Sequence, residues 1–376
     1  MTTLLSRLSR LLFAGPILIL AGTLCLAQQP QSSTQTTDVT DTTGAHAPYR
    51  VTTESTQEDG RAAERQVYET PSINGGYSAT SDVEQETIKV NDNTTRVVKR
   101  AYTRDPSGNR KLFQITEEER TASPDGREKT VTTTSRVDND NRWTVTERQT
   151  QEAVPTGKDS RKVSSTLMRQ TASGLVAVQQ TQTTEEREGD TTRTRQVVSN
   201  ADPNGSFQPA TVKETVATET KDGITRDEKT LADDGRGQMV VVNRTVTRET
   251  KDATGQPQQT VQEFSQNVPG AAPDGSVHLV RQSSETAERD ADGTVQTHSQ
   301  VQAVNTGNPS DGLQTVTTTT GASTPTGPGR TASTTRTSQP NGGGTFGTVF
   351  VTDSHETRVL PPVPPPAEQK TSAPPK

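Results

Sequence analysis

Proton-transfer chemistry near neutral pH would rest on four histidines, His46, His278, His298 and His355. Catalysis needs such groups to converge with a nucleophile or a carboxylate in a pocket. His46 lies in a polar stretch and His355 near the C-terminus. The central pair falls on strand-sized runs that fold back as a hairpin. With Ala291-Asp292 at the tip, Asp290 meets Gly293, Thr286 meets Thr297, Ser284 meets Ser299, His298 meets Glu285 and His278 meets Asn305. The two central histidines are then not neighbours, and His298 with Glu285 reads as a solvated surface pair. Serines are abundant, but no Gly-x-Ser-x-Gly elbow occurs with partners in a workable order. The expectation is a protein without catalytic residues, not an enzyme.

Metal and cofactor chemistry is equally thin. Asp138-Asn-Asp140-Asn-Arg142 begins like a calcium loop, but Arg142 stands where an oxygen ligand is needed and no glycine follows. Asp290 and Asp292 before Gly293 have the chemistry of a tight turn. The run Gly342-Gly-Gly344 precedes Thr345-Phe346, not the Lys-Ser/Thr pair of a phosphate loop. No cofactor and no metal site are expected. The single cysteine, Cys25, falls in an apolar leader, so the mature chain is expected to lack disulfides.

That leader is residues 1–27: Arg7 and Arg10 precede an apolar run from Leu11 that ends Cys25-Leu26-Ala27. An uncleaved anchor and lipidation of Cys25 are the rivals. The bulky Leu24 argues against the second, because such sites carry a small residue there. Export to the periplasm, cell surface or medium follows, with no membrane span in the mature chain. Net charge is −6, with both signs interspersed, so nucleic acid is not an expected partner.

The elements must be built from unusual material. Val, Leu, Ile and Phe together are about one residue in six, while Thr makes up about 18% of the chain. Little oil argues against a thick globule; a branched, hydroxyl-bearing side chain favours half-solvated strands. Turn clusters recur roughly every 19 residues between Asp105 and Gly312, among them Asp105-Pro-Ser-Gly108, Asp202-Pro-Asn-Gly205 and Asp290-Ala-Asp-Gly293. The pattern gives an all-β fold: an elongated antiparallel β-meander of repeated hairpins, as a thin single-layer sheet or narrow sandwich, with disordered terminal segments. A disordered polar spacer is expected over 28–80, the Thr-rich repeat over 81–320, a Gly/Ser/Thr/Pro linker over 321–344, a late strand over 345–360 and a Pro-rich tail over 361–376. A membrane barrel is not expected, because one Trp, four Tyr and six Phe are few for an apolar band with aromatic girdles.

Tyr102-Thr-Arg-Asp105-Pro-Ser-Gly108-Asn-Arg-Lys-Leu112 resembles one unit of the YD-repeat family of bacterial surface and toxin-encapsulating proteins. Later units keep the Asp and Gly turn but lack the Tyr, so the likeness is one of turn chemistry and implies no function. The functional expectation is an exported bacterial structural or adhesive envelope protein presenting an extended polar surface. Polysaccharide, peptidoglycan or another envelope protein would be its partner. The alternative is a largely disordered, chaperone-like accessory that folds on its target. Candidate partner contacts are Trp143, Phe346, Phe350 and Val351; the late strand is either a final strand of the chain's own sheet, the favoured reading, or one that adds to another protein's sheet edge.

Overall fold

The structure is a computed structural model. It describes residues 31–359 apart from 44–46, 59, 73, 106, 139, 252–254, 267–275, 306–310 and 342–344. The expected leader over 1–27 and the Pro-rich tail over 361–376 lie outside the described residues.

Twenty strands follow one another: β1 (Gln31–Asp41), β2 (Tyr49–Glu58), β3 (Arg61–Pro71), β4 (Tyr77–Asn91), β5 (Thr94–Arg104), β6 (Arg110–Ala122), β7 (Glu128–Val137), β8 (Trp143–Gly157), β9 (Ser160–Thr171) and β10 (Gly174–Glu188). The second half is β11 (Thr191–Ala201), β12 (Phe207–Thr220), β13 (Gly223–Asp233), β14 (Met239–Lys251), β15 (Pro257–Ser265), β16 (His278–Arg289), β17 (Val295–Val304), β18 (Leu313–Gly327), β19 (Arg330–Pro340) and β20 (Phe346–Val359). Each pairs antiparallel with its sequence neighbours, and β20 pairs with β1. The sheet is therefore a closed barrel. The all-β antiparallel meander holds; the elongated thin sheet or narrow sandwich does not, because its two ends are joined. Segment 28–80, expected as a spacer, supplies β1, β2, β3 and the start of β4, and 321–344 supplies the end of β18 and all of β19.

Turn chemistry sets each reversal. Asp202 Oδ1 accepts hydrogen bonds from the backbone N–H groups of Asn204 and Ser206 at 2.8 and 2.9 Å, while Gly205, at φ 83°, donates its N–H to the Asp202 carbonyl. Asp105 and Asp138 do the same work in their own turns. Asp138 is thus occupied as a turn residue, and Asn141 there takes φ 61°. At Asp290 the turn is longer than a two-residue tip, since the Asp290 N–H reaches the Thr294 carbonyl. That extra residue slips the expected hairpin by one position: Thr286 faces His298, and Glu285 faces Ser299.

Nearly every even strand also carries one unpaired residue near its start. Thr80, Phe113, Thr146, Val178, Ala210, Val242, Val280, Val316 and Val349 occupy these bulges. The step from Thr80 to Phe113 is 33 residues (113 − 80), and it recurs with small changes around the wall. The repeating unit is a bulged hairpin, not a single turn-to-turn segment.

Little of the order comes from an interior. Among the described residues the buried apolar ones are Val98, Ala153, Val212 and Val246, and the accessible surface of the chain is 26406 Å². A compact monomer of this mass would expose about 14,500 Å². Twenty strands at about 4.8 Å spacing and about 40° tilt give a circumference of about 125 Å. All strand pairs in extensive contact are sheet neighbours or next neighbours, so no described strand crosses the bore.

The wall has two faces and two rims. Direct partners share a face, and the path around the ring rejoins itself: Asp353 meets Asp38, Asp38 meets Arg50 and Arg50 meets Glu69. We call this the Val98 face and the other the Ala153 face. At one rim, the terminal rim, β1 begins and β20 ends, and several connections are two residues long, such as Lys158-Asp159, Gly189-Asp190 and Lys221-Asp222. At the other, the loop rim, connections are mostly longer: 72–76, 105–109, 202–206, 234–238 and 266–277, with Ala172-Ser173 as the short exception.

Candidate functional site: an aromatic rim and a charged brace

Ten of the eleven aromatic residues lie in described strands, and Phe13 does not. All ten occupy the half of their strand nearer the loop rim. Tyr49, Tyr77, Trp143, Phe207 and Phe346 open β2, β4, β8, β12 and β20; Tyr68, Tyr102 and Phe264 fall near the ends of β3, β5 and β15; Phe113 and Phe350 come a few residues into β6 and β20. The larger aliphatics follow them. On the Val98 face, the two positions nearest the loop rim on each strand include Val137, Trp143 and Val145, Met168, Leu175, Phe207, Leu231, Met239 and Val241, Phe264, Leu279, Val304, Leu313 and Phe346. Trp143 and Phe346 are each 44% exposed.

Of the candidate contacts, Trp143, Phe346 and Val351 lie on the Val98 face and Phe350 on the Ala153 face. All four lie toward one rim, but Trp143 is on β8 while Phe346, Phe350 and Val351 are on β20, with Phe350 on the opposite face, so they do not form one patch. Sequence reading missed Tyr49, Tyr77, Tyr102, Phe207 and Phe264. The available signal was their phase, since most stand within a few residues of a Gly- or Asp-bearing connection.

The rim is interrupted over β1 to β6 by a charged brace. Asp82, fully buried, is approached by Arg110 at 2.5 Å, Arg104 at 3.4 Å and Arg65 at 3.7 Å. Arg110 also binds Glu84 at 2.6 Å and lies 3.8 Å from the Tyr102 ring centre, and the Tyr102 hydroxyl donates to Glu84 at 3.0 Å. Nearby, Arg50 makes two hydrogen bonds to Asp38, at 2.6 and 3.0 Å, and covers Tyr77 at 4.2 Å. An open depression of about 320 Å³ beside this cluster is lined by Glu54, Arg61, Arg65, Glu84 and Arg100 among others. Its charges are largely partnered with one another: Arg61 and Arg100 both reach Glu86, and Arg65 reaches Glu54. Chemically this is a clamp across β3 to β6.

Beyond the rim both faces are polar. Arg195 with Glu214 and Arg244 with Asp227 lie on the Val98 face; Arg161 with Glu185 and Lys213 with Glu228 lie on the Ala153 face. Among the described residues no group of three or more His, Cys, Asp or Glu is placed to hold a metal ion, and no helix is long and apolar enough to cross a membrane. His278 sits opposite Ser265 and His298 opposite Thr286, on different faces.

Fold and rim together define a closed antiparallel β-barrel with one aromatic-bearing end. No protein-family model matches the sequence, and no curated protein matches it. Solved barrels align with it along most of its length. The siderophore receptor PirA from Acinetobacter baumannii is 7% identical with a TM-score of 0.48, over 90% of this chain and 81% of that one. A mutant ferric enterobactin receptor, PfeA, from Pseudomonas aeruginosa is 8% identical with a TM-score of 0.46, over 88% and 80%. OmpF of Salmonella typhi, complexed with daunomycin, is 11% identical with a TM-score of 0.39, over 88% and 97%. At such identities the likeness is one of fold.

Closure overturns the functional expectation. An extended surface for adhesion is absent because the repeat curls into a ring, and a chain disordered until it meets a partner is not what twenty paired strands describe. No extended surface is left for polysaccharide or peptidoglycan, and strand addition to another envelope protein has no edge to use: the late strand, β20, joins its own sheet, held by β19 on one side and β1 on the other. The expectation of no membrane span is likewise withdrawn, since barrels cross membranes with strands.

Proposed function

We propose that this chain is a transport barrel of the outer-membrane kind, a wall around a polar passage in the cell envelope, and not an enzyme. The observation that carries the reading is the pairing of β1 with β20, which makes twenty strands a ring. Rings of 16 to 18 strands leave an aqueous channel and those of 22 enclose a lumen large enough for a plug. Both termini of the wall lie at the rim with the shorter turns, which is the usual asymmetry of outer-membrane barrels. Thr, Gln and Ser line both faces past the rim, so small polar solutes are the class the passage suits.

The test is conductance. The purified chain, refolded in detergent and added to planar bilayers, gives stepwise ion currents, and vesicles containing it swell in isotonic sugar. Silent bilayers and unswollen vesicles, with a β-rich and correctly folded sample, overturn the reading.

A further inference from the structure

We infer that the Val98 face of the loop rim, along the arc from β7 to β20, is the barrel's lipid-contacting surface, seated at the headgroup–acyl boundary. This rests on the barrel reading for the closed ring alone, and names one end and one face that meet the membrane.

Backbone direction identifies the outer face. On even strands, Ala153-face residues donate toward the preceding strand: Lys89 N–H to Gly60, Arg187 N–H to Asp159, Glu219 N–H to Asp190. Val98-face residues on those strands therefore pair with the following strand. For L-residues this sets the following strand to the right of an even strand running upward, seen from the Val98 face. Direct partners then drift toward the loop rim, from Ile88 through Arg96, Glu119, Val131, Thr150, Thr166, Gln180 and Ser199 to Pro209. Strands of a closed sheet coil right-handed, and only from outside does such a sheet step down to the right. The Val98 face is the outer one.

Charge then selects the occupant. Over β7 to β20, the two outer positions nearest the loop rim on each strand hold one charged residue, Asp233, among Val137, Trp143, Leu175, Phe207, Met239, Phe264 and their neighbours. Over β1 to β6 the same rows hold Asp38, Arg50, Glu69, Arg104 and Arg110. A neutral arc rich in aromatics suits the membrane interface, where amphipathic rings sit at headgroup level. Below it, Arg148, Glu214 and Arg244 begin the polar wall. The band is about 10 Å deep along the barrel axis, the depth to which interfacial apolar faces penetrate.

Trp143, the only tryptophan, reports directly. The full barrel is mixed with phosphatidylcholine vesicles whose acyl chains are brominated near the carboxyl end. Trp143 fluorescence falls at least twofold there and is shielded from iodide. In a Trp143→Phe background, Phe346→Trp behaves alike, while Val90→Trp, an exposed position at the terminal rim, stays open to iodide and unquenched by lipid. No lipid quenching at Trp143, or equal quenching at both rims, overturns the inference. Quenching without conductance sinks the transport reading and leaves this one standing; conductance without quenching does the reverse.

Discussion

The Gln35 side-chain amide donates a 3.0 Å hydrogen bond to the Ser354 hydroxyl, across 319 positions of the chain. Thr37 reaches the same hydroxyl from the same strand, also at 3.0 Å. These contacts accompany a ladder running from Ser32 opposite Val359 to Asp41 opposite Phe350. Every other strand contact is local; this one makes a sheet into a vessel.

Asp82 should be the most sensitive single charge in the wall. Removing its carboxylate leaves Arg65, Arg104 and Arg110 facing each other in a crowded site. Asp82→Ala is expected to cost about 3–5 kcal/mol, the penalty for breaking a buried ion pair from one side. Glu214→Ala removes the exposed partner of Arg195 and should cost under about 1 kcal/mol. Urea unfolding of both variants in the same detergent checks the contrast.

Two turn glycines separate backbone conformation from space. Gly205 has φ 83° with no heavy atom within 4 Å of an added Cβ, so Gly205→Ala should cost about 1–2 kcal/mol from conformation alone. At Gly223, φ 145°, the added Cβ would lie 1.9 Å from the Glu249 carbonyl oxygen of the adjacent strand. Gly223→Ala must therefore displace β14 and should destabilise the barrel more than Gly205→Ala does. Paired denaturation curves read the order directly.

Asp105, in a loop-rim turn, is held below the ordinary aspartate value of about 3.9, first by the Asn109 side-chain amide and then by backbone N–H donors. A depressed folded value means the turn gains stability above the unfolded pKa and loses it as pH falls through the folded one. The Asp105 carboxyl carbon shift should titrate below that of a free aspartate, and the displacement should vanish in Asn109→Ala to the extent that the side-chain amide causes it. A midpoint at the free value contradicts the assignment.

Much of the wall is legible in the sequence because its turns are chemical. Asp105-Pro-Ser-Gly108, Asp202-Pro-Asn-Gly205 and Gly157-Lys-Asp159 mark reversals that the structure contains. Register is less legible, since an extra turn residue at Thr294 moves every partner of β16 and β17 by one, and Thr or Gln stands on both sides of the choice. Closure is not legible at all. It depends on β1 meeting β20, with β19 carrying the sheet to β20, and the runs Gln31–Asp41 and Arg330–Pro340 are mostly Ser, Thr and Gln without apolar alternation, so nothing local distinguishes a strand there from a spacer. The aromatic rim escaped notice for a related reason. Eleven rings look sparse along a chain, and ten of them become a band only when twenty strands are stacked in phase.

The most direct test of a closed ring joins its first and last strands. Thr37 and Ser354 are direct partners whose hydroxyls touch, within the separation a disulfide spans. Thr37→Cys with Ser354→Cys, in a chain with Cys25→Ser, should form an intramolecular disulfide under mild oxidation and yield a monomer whose gel mobility changes on reduction. Single variants should not. Free thiols, or disulfides found only between chains, would mean that β1 and β20 do not meet and that the sheet is open.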